Sequence, residues 1–260
     1  ELAESGCVPQ KTIVFAGTCD EERGGLGAKE IIKEYPDLFP ELLLIGEPTS
    51  CQAGVAQKGC IWLKLSVSGK TSHGAEPWQG INALEQGFGL LADLREELKR
   101  EEHPVLGHST LQITMAEGGI APNMTPDRAK FLADIRIVPP LNEKEVLNRL
   151  ECLMQKRCEV YNGGLAFVPE ITNYRMPVET GPENQWLHRL KGFIGDDAGE
   201  TGINYFTDAS ILLTAWPDSP ALLFGPGEPQ MCHKPNEYVE ISKYLEAIRV
   251  MEKFCWYIAK

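Results

Sequence analysis

The sequence predicts an α/β domain interrupted by an inserted ferredoxin-like α+β domain. Three observations carry this. Two apolar runs, Thr12–Ala16 and Leu42–Ile45, each end in glycine followed by acids. From Ile61 the pattern changes to strict alternation, with Ile61, Leu63, Leu65 and Val67 against Trp62, Lys64, Ser66 and Ser68. After Pro177 short apolar runs and glycine turns return.

In chain order, Thr12–Ala16 is β-branched and aromatic and is expected to form a buried strand. It stops at Gly17-Thr18, and Gly24-Gly25 then open a helix over Leu26–Tyr35. Asp20, Glu21 and Glu22 would then stand at a strand's C-terminal end, where open α/β sheets bind ligands. Three adjacent carboxylates repel one another. Either water screens them on a surface loop, or a cation absorbs the repulsion and leaves one carboxylate as ligand and another as base. Leu42–Ile45 is a second buried strand, again followed by an acid in Gly46-Glu47-Pro48-Thr49.

The alternating strand from Ile61 has one buried face. A glycine-flanked loop carrying His73 follows, and then a helix, Ile81–Arg100, with Leu84, Phe88, Leu91, Leu94 and Leu98 on one stripe. Strands at Ser109–Ala116 and Arg128–Val138, a helix over Asn142–Lys156 and a strand over Val160–Ile171 complete β-α-β-β-α-β. Asn142 with Glu145 is a capping-box pair. Residues 55–171 are therefore expected to be the insert, and residues 1–54 with 172–260 the α/β domain. The latter closes with helices at Asn184–Phe193 and Ile241–Lys260 around a strand at Leu222–Phe224.

Composition excludes several classes. Net charge is −12, from 25 basic and 37 acidic residues, which disfavours nucleic acid and anionic membrane as partners. No apolar run approaches the ~20 residues that span a bilayer. The eight cysteines form no C-x-x-C pair. With a polar, acidic start to the chain, they are expected to be reduced and mostly buried, in a cytoplasmic protein. His103, His108 and His188 lie in no motif and are taken as surface residues.

Six motifs occur in order: Asp20-Glu21-Glu22, Gly46-Glu47-Pro48-Thr49, Gly69-x-x-Ser72-His73, Pro122-Asn123-Met124-x-Pro126-Asp127, Asp134-Ile135-Arg136, and Gly225-Pro226-Gly227 with His233-Lys234-Pro235-Asn236-Glu237. Together, astride the insert, they resemble the dizinc hydrolases that include acetylornithine deacetylase, succinyl-diaminopimelate desuccinylase, aminoacylase and glutamate carboxypeptidase. The resemblance implies a hydrolase cutting the amide bond of an N-acyl amino acid, or a dipeptidase or carboxypeptidase on the same scaffold. It implies two Zn²⁺ per complete site, with Co²⁺ or Mn²⁺ as possible substitutes. Glu21 would be the general base toward water, Glu22 and His233 ligands of one metal, and Glu47 a ligand of the other. His73 would stabilise the oxyanion in the partner subunit's site, Asn123 and Arg136 would bind the substrate carboxylate, and Gly225 and Gly227 would form a backbone cradle beside the substrate. The insert would be the lid and the homodimer contact.

The match has a gap. The family's H-x-D motif and bridging Asp precede its D-E-E stretch, and none of the 19 residues before Asp20 is His or Asp. The chain is thus expected to be a fragment, incomplete and inactive alone and binding zinc weakly, or else a metal-depleted binding or dimerisation homologue.

Overall fold

The computed structural model describes residues 4–6, 8–196 and 198–259; Cys7 and Lys260 lie outside them. Along the chain come α1 (Leu26–Glu34), β1 (Leu43–Ile45), β2 (Ala53–Gln57), β3 (Gly59–Ser68), α2 (Ala83–Glu97), β4 (Glu102–His103), β5 (Gly107–His108), β6 (Thr110–Gly118) and β7 (Arg128–Ile137). There follow α3 (Glu143–Val160), β8 (Ala166–Arg175), β9 (Val178–Glu179), α4 (Gln185–Ile194), β10 (Glu200–Ile203), α5 (Ala209–Ala215), β11 (Ala221–Leu223) and α6 (Ile241–Ala259).

The chain divides into two compact units, Glu1–Gln57 with Val178–Lys260, and Lys58–Pro177. The divides fall at Gln57/Lys58 and Pro177/Val178 rather than at 54/55 and 171/172. The reason is that β2 pairs with β11 and β10 of the first unit, whereas β8 runs on along β3 to Arg175.

In the first unit the sheet runs β1-β11-β2-β10, with β9 also on β2. β1 and β11 are parallel with Ile45 opposite Leu223, so the segments after them, beginning Gly46 and Phe224, leave from one end of the sheet. Thr12–Ala16 is a correction: it forms no strand, and Phe15 is 95% exposed. A β-branched run becomes a strand only where a neighbour offers its N–H and C=O groups, and among the described residues none pairs with it. Asp20–Glu22 therefore follow irregular chain, not a strand end. Leu43–Ile45 does form a strand but is only half-buried.

The second unit is the β-α-β-β-α-β arrangement. Its antiparallel sheet has the order β6-β7-β3-β8, the ferredoxin-like order. Ile61, Leu63, Leu65 and Val67 of β3 and Phe131, Ala133, Ile135 and Ile137 of β7 face the helices, each at most 3% exposed. Asn142 and Glu145 make the capping box, and α3 continues to Val160, so the last strand starts at Ala166 instead. On α2 the buried stripe is Ala83, Gly87, Leu90, Leu91 and Leu94, while Phe88, assigned to it by spacing, is 46% exposed. Gly87 gives way to Phe131: a Cβ there would lie 2.1 Å from that ring's Cε2. Phe88 instead sets its ring edge-on to Phe131 at 5.0 Å from outside.

His103 is also a correction. It is buried, and its Nδ1 accepts the amides of Val105 and Leu106 at 3.3 Å, closing the β4–β5 hairpin. Of the seven described cysteines all are free, but only Cys51 and Cys60 are buried, and Cys19 and Cys152 are exposed. No helix among the described residues is long and apolar enough to cross a membrane.

Gly87→Ala tests the α2 packing. Helix propensity alone favours alanine by ~1 kcal/mol, but Phe131 is fully buried and cannot retreat. Overpacking should dominate, and urea unfolding should show a net loss of ~1–3 kcal/mol.

Candidate active site

The acid turn is built by backbone. Asp20 takes φ 65°, and its carbonyl accepts the amides of Arg23, Gly24 and Gly25, at 2.7 Å for Gly25. Gly25, itself at φ 61°, starts α1 against α5, where a Cβ would lie 2.1 Å from Ile211 Cδ1. Glu21 and Glu22 ride on this turn.

His233 comes to it from 211 residues away. It sits at φ 60° in a turn that Glu237 holds by accepting the His233 amide at 3.2 Å. Its Nε2 lies 2.9 Å from Glu22 Oε1. Both side chains are about 70% exposed, so as an ion pair they contribute little to stability. What the geometry provides is a carboxylate and an imidazole converging in the open.

Glu47 leaves the end of β1 on a loop zipped to the one after β11. Gly225 O accepts the amides of Thr49 and Cys51, and Gly227 O accepts that of Ser50 at 2.8 Å. Thr49 Oγ1 donates to Gln52 O at 2.7 Å and accepts the Gly225 amide at 3.2 Å. Gly225 is glycine because a Cβ would lie 2.5 Å from Glu47 O; at Gly227 it would lie 3.0 Å from Pro48 Cβ. These glycines thus support the Glu47 loop.

Burial pushes the Glu47 carboxyl up to about 7, with the charge of Glu21 adding, a hydrogen bond from Tyr205 opposing, and Asp208 and Glu22 adding further. The Tyr205 hydroxyl lies 3.5 Å from Glu47 Oε2 and 3.8 Å from Cys232 Sγ, and burial raises its own pKa. Tyr205 and Asp208 are the site residues that motif reading passes over. The signal was present, since both follow the apolar end of β10 much as Glu47 follows β1.

In the second unit the loops after β3 and before β7 are paired. Gly74 N donates to Asn123 O at 2.7 Å, Thr125 N to Ser72 O at 2.9 Å, and His73 bridges to Met124. His73 and Asn123 are thereby neighbours, both exposed. Arg136 is not with them. Ser68 pairs with Arg128 at their end of the sheet, and Cys60 with Arg136 at the other. Eight strand residues at ~3.3 Å each separate the ends by roughly 26 Å. There Arg136 forks onto Asp134, Nε to Oδ1 at 2.6 Å and Nη2 to Oδ2 at 2.9 Å, and Trp62 Nε1 joins Asp134 at 3.1 Å.

Residues 55–162 match the family model M20_dimer, a peptidase dimerisation domain. Over 262 aligned residues, 95% of this chain, the sequence is 29% identical to acetylornithine deacetylase of Shigella sonnei (strain Ss046). The chain is thus similar to the M20 peptidase family. It spans just under two thirds, 66%, of that relative's length. The fold agrees with two solved structures. Aminopeptidase PepT from Bacillus cereus ATCC 10987 matches with TM-score 0.78 at 19% identity, over 100% of this chain and 67% of that one. A tripeptidase from Staphylococcus aureus matches with TM-score 0.69 at 19% identity, over 93% and 63%.

As a metal site, the Glu22–His233 pair supplies the donor types Zn²⁺ prefers. Among the described residues, however, no three such side chains converge on one point. The pair fits part of a coordination shell, not a whole one.

Glu47→Gln tests the crowding by its pH dependence. A carboxyl raised from 4.5 to about 7 keeps its proton in the folded chain while the unfolded chain has lost it. Stability therefore falls as pH rises through that window. The variant should match the parent below pH 4.5 and be the more stable above 7, read as urea midpoints across pH.

Proposed function

We propose that this chain forms the larger part of a metal-dependent hydrolase that cleaves the amide bond of an N-acyl amino acid or small peptide. The observation that carries the reading is the 2.9 Å approach of Glu22 and His233, beside Glu21 on the same turn. Zinc is the proposed metal, two ions per complete site; when bound it would polarise the scissile carbonyl and lower the pKa of water. Glu22 and His233 are proposed to hold one ion and Glu47 the other, oriented by Tyr205. Glu21 would accept the proton of the attacking water and return it to the leaving amine. The free thiols fit a cytoplasmic enzyme.

His73 and Asn123 lie together, with Arg136 roughly 26 Å away along the same sheet. One lid therefore cannot offer all three to one substrate. We propose that His73 and Asn123 serve the partner subunit's site in a homodimer formed through the lid, while Arg136 works in the other orientation, releasing Asp134 to bind a substrate carboxylate. The reading keeps deacylase and peptidase substrates both open. Assay against acetyl, succinyl and formyl amino acids and dipeptides selects between them.

A second reading, a metal-free binding or dimerisation module, draws on the lack of any three converging ligand side chains among the described residues. Metal analysis separates the two. The chain alone should hold zinc weakly and at fewer than two equivalents; two tightly held ions would show that the ligand assignment is mistaken.

The shared site is tested with mixed dimers of the full-length protein. Glu21→Gln and His73→Ala should each silence a homodimer. Losing an oxyanion donor costs ~10²–10³ in rate, so a heterodimer that regains one intact site should stand clear of both parents. No recovery in a verified heterodimer would place His73 in its own subunit's site or in none.

A further inference from the structure

Among the described residues, Asp208 is the one buried carboxylate in the first unit that no motif claims. It is 6% exposed, and its Oδ1 is sealed from solvent with no hydrogen-bond partner among the described residues. Burial of an ionised oxygen without a partner is costly, so something nearby must offset it. Its place is fixed. The Asp208 carbonyl accepts the amides of Ile211 and Leu212 at the start of α5. Its neighbour Thr207 donates to Gln57 Oε1 at 2.6 Å and accepts the Ala209 amide at 3.1 Å.

The carboxylate faces the beginning of α1. A Cβ on Gly25 would lie 3.1 Å from Asp208 Oδ1, so any side chain at Gly25 would crowd it. α1 has no side-chain cap of its own and no acid in its first turn. A helix N-terminus carries partial positive charge and is stabilised by a nearby anion. Here the nearest buried anion comes from another helix, and the two helices share one apolar core through Ala28, Ile211 and Leu212.

We infer that Asp208 is a positioning residue: its charge, set against the N-terminus of α1, holds the Asp20–Gly25 turn and so aims Glu21 and Glu22. The catalytic part of this rests on the hydrolase reading above; the structural part does not.

The test is amide hydrogen exchange on this chain, read by mass spectrometry for residues 20–29, with Asp208→Asn and Asp208→Ala. Asparagine keeps the shape and removes the charge, so it is the deciding variant. Both should speed exchange in residues 20–29 at least tenfold and leave α6 unchanged. An Asp208→Asn chain that exchanges like the parent, whatever alanine does, reduces Asp208 to a packing residue and overturns the inference. So does an Asp208→Asn chain that loosens or unfolds throughout. In the full-length enzyme Asp208→Asn should lower kcat roughly ten- to a hundredfold at little-changed KM, as outer-shell changes do. If the unmutated protein hydrolyses no amide, the hydrolase reading fails and the exchange result still stands.

Discussion

Mutual repulsion among carboxylates is the constraint on which the first unit turns. Burial first, and then the charges of Glu21, Asp208 and Glu22, push the Glu47 carboxyl up to about 7. Keeping the segments that carry them together falls to the backbone, since Glu22 itself stands largely exposed. The chain meets this with positions that side chains alone could not hold: Asp20 and His233 at positive φ, Gly25 under Ile211, and Gly225 against the Glu47 carbonyl. Strain and close approach are concentrated where like charges must be kept together, as functional sites commonly require.

The second unit was the more legible half, because its core is written at two clear periods. The alternation in Ile61–Val67 and the capping box at Asn142 fix β3 and the start of α3 almost to the residue, though not where α3 ends. Phe88 escaped because helical spacing cannot say which of two adjacent positions a neighbour will fill; Gly87 yields that place to the Phe131 ring. Thr12–Ala16 escaped because a strand depends on its ladder partners, which lie elsewhere in the sequence and leave no mark on the run itself.

In the site, the acids and His233 were legible as motifs, whereas their support was not. Thr49, Tyr205 and Asp208 act through hydrogen bonds and burial that join segments more than 150 residues apart. Thr49 stands inside a motif and Tyr205 and Asp208 follow a strand end, but nothing local shows those contacts. Gly225 and Gly227 show the reverse case. Their glycines were visible, and what the sequence did not show is the close approach of the Glu47 backbone and the Pro48 ring.

The length of the sheet in the second unit has one more consequence. With His73 and Asn123 at one end and Arg136 at the other, the second unit would, as proposed, be a bivalent part whose two ends serve different sites. In the proposed dimer, specific activity would then depend on protein concentration. Dilution below the dimer dissociation constant would switch off both sites together while every subunit stayed folded. Expression level would itself become a control on the enzyme.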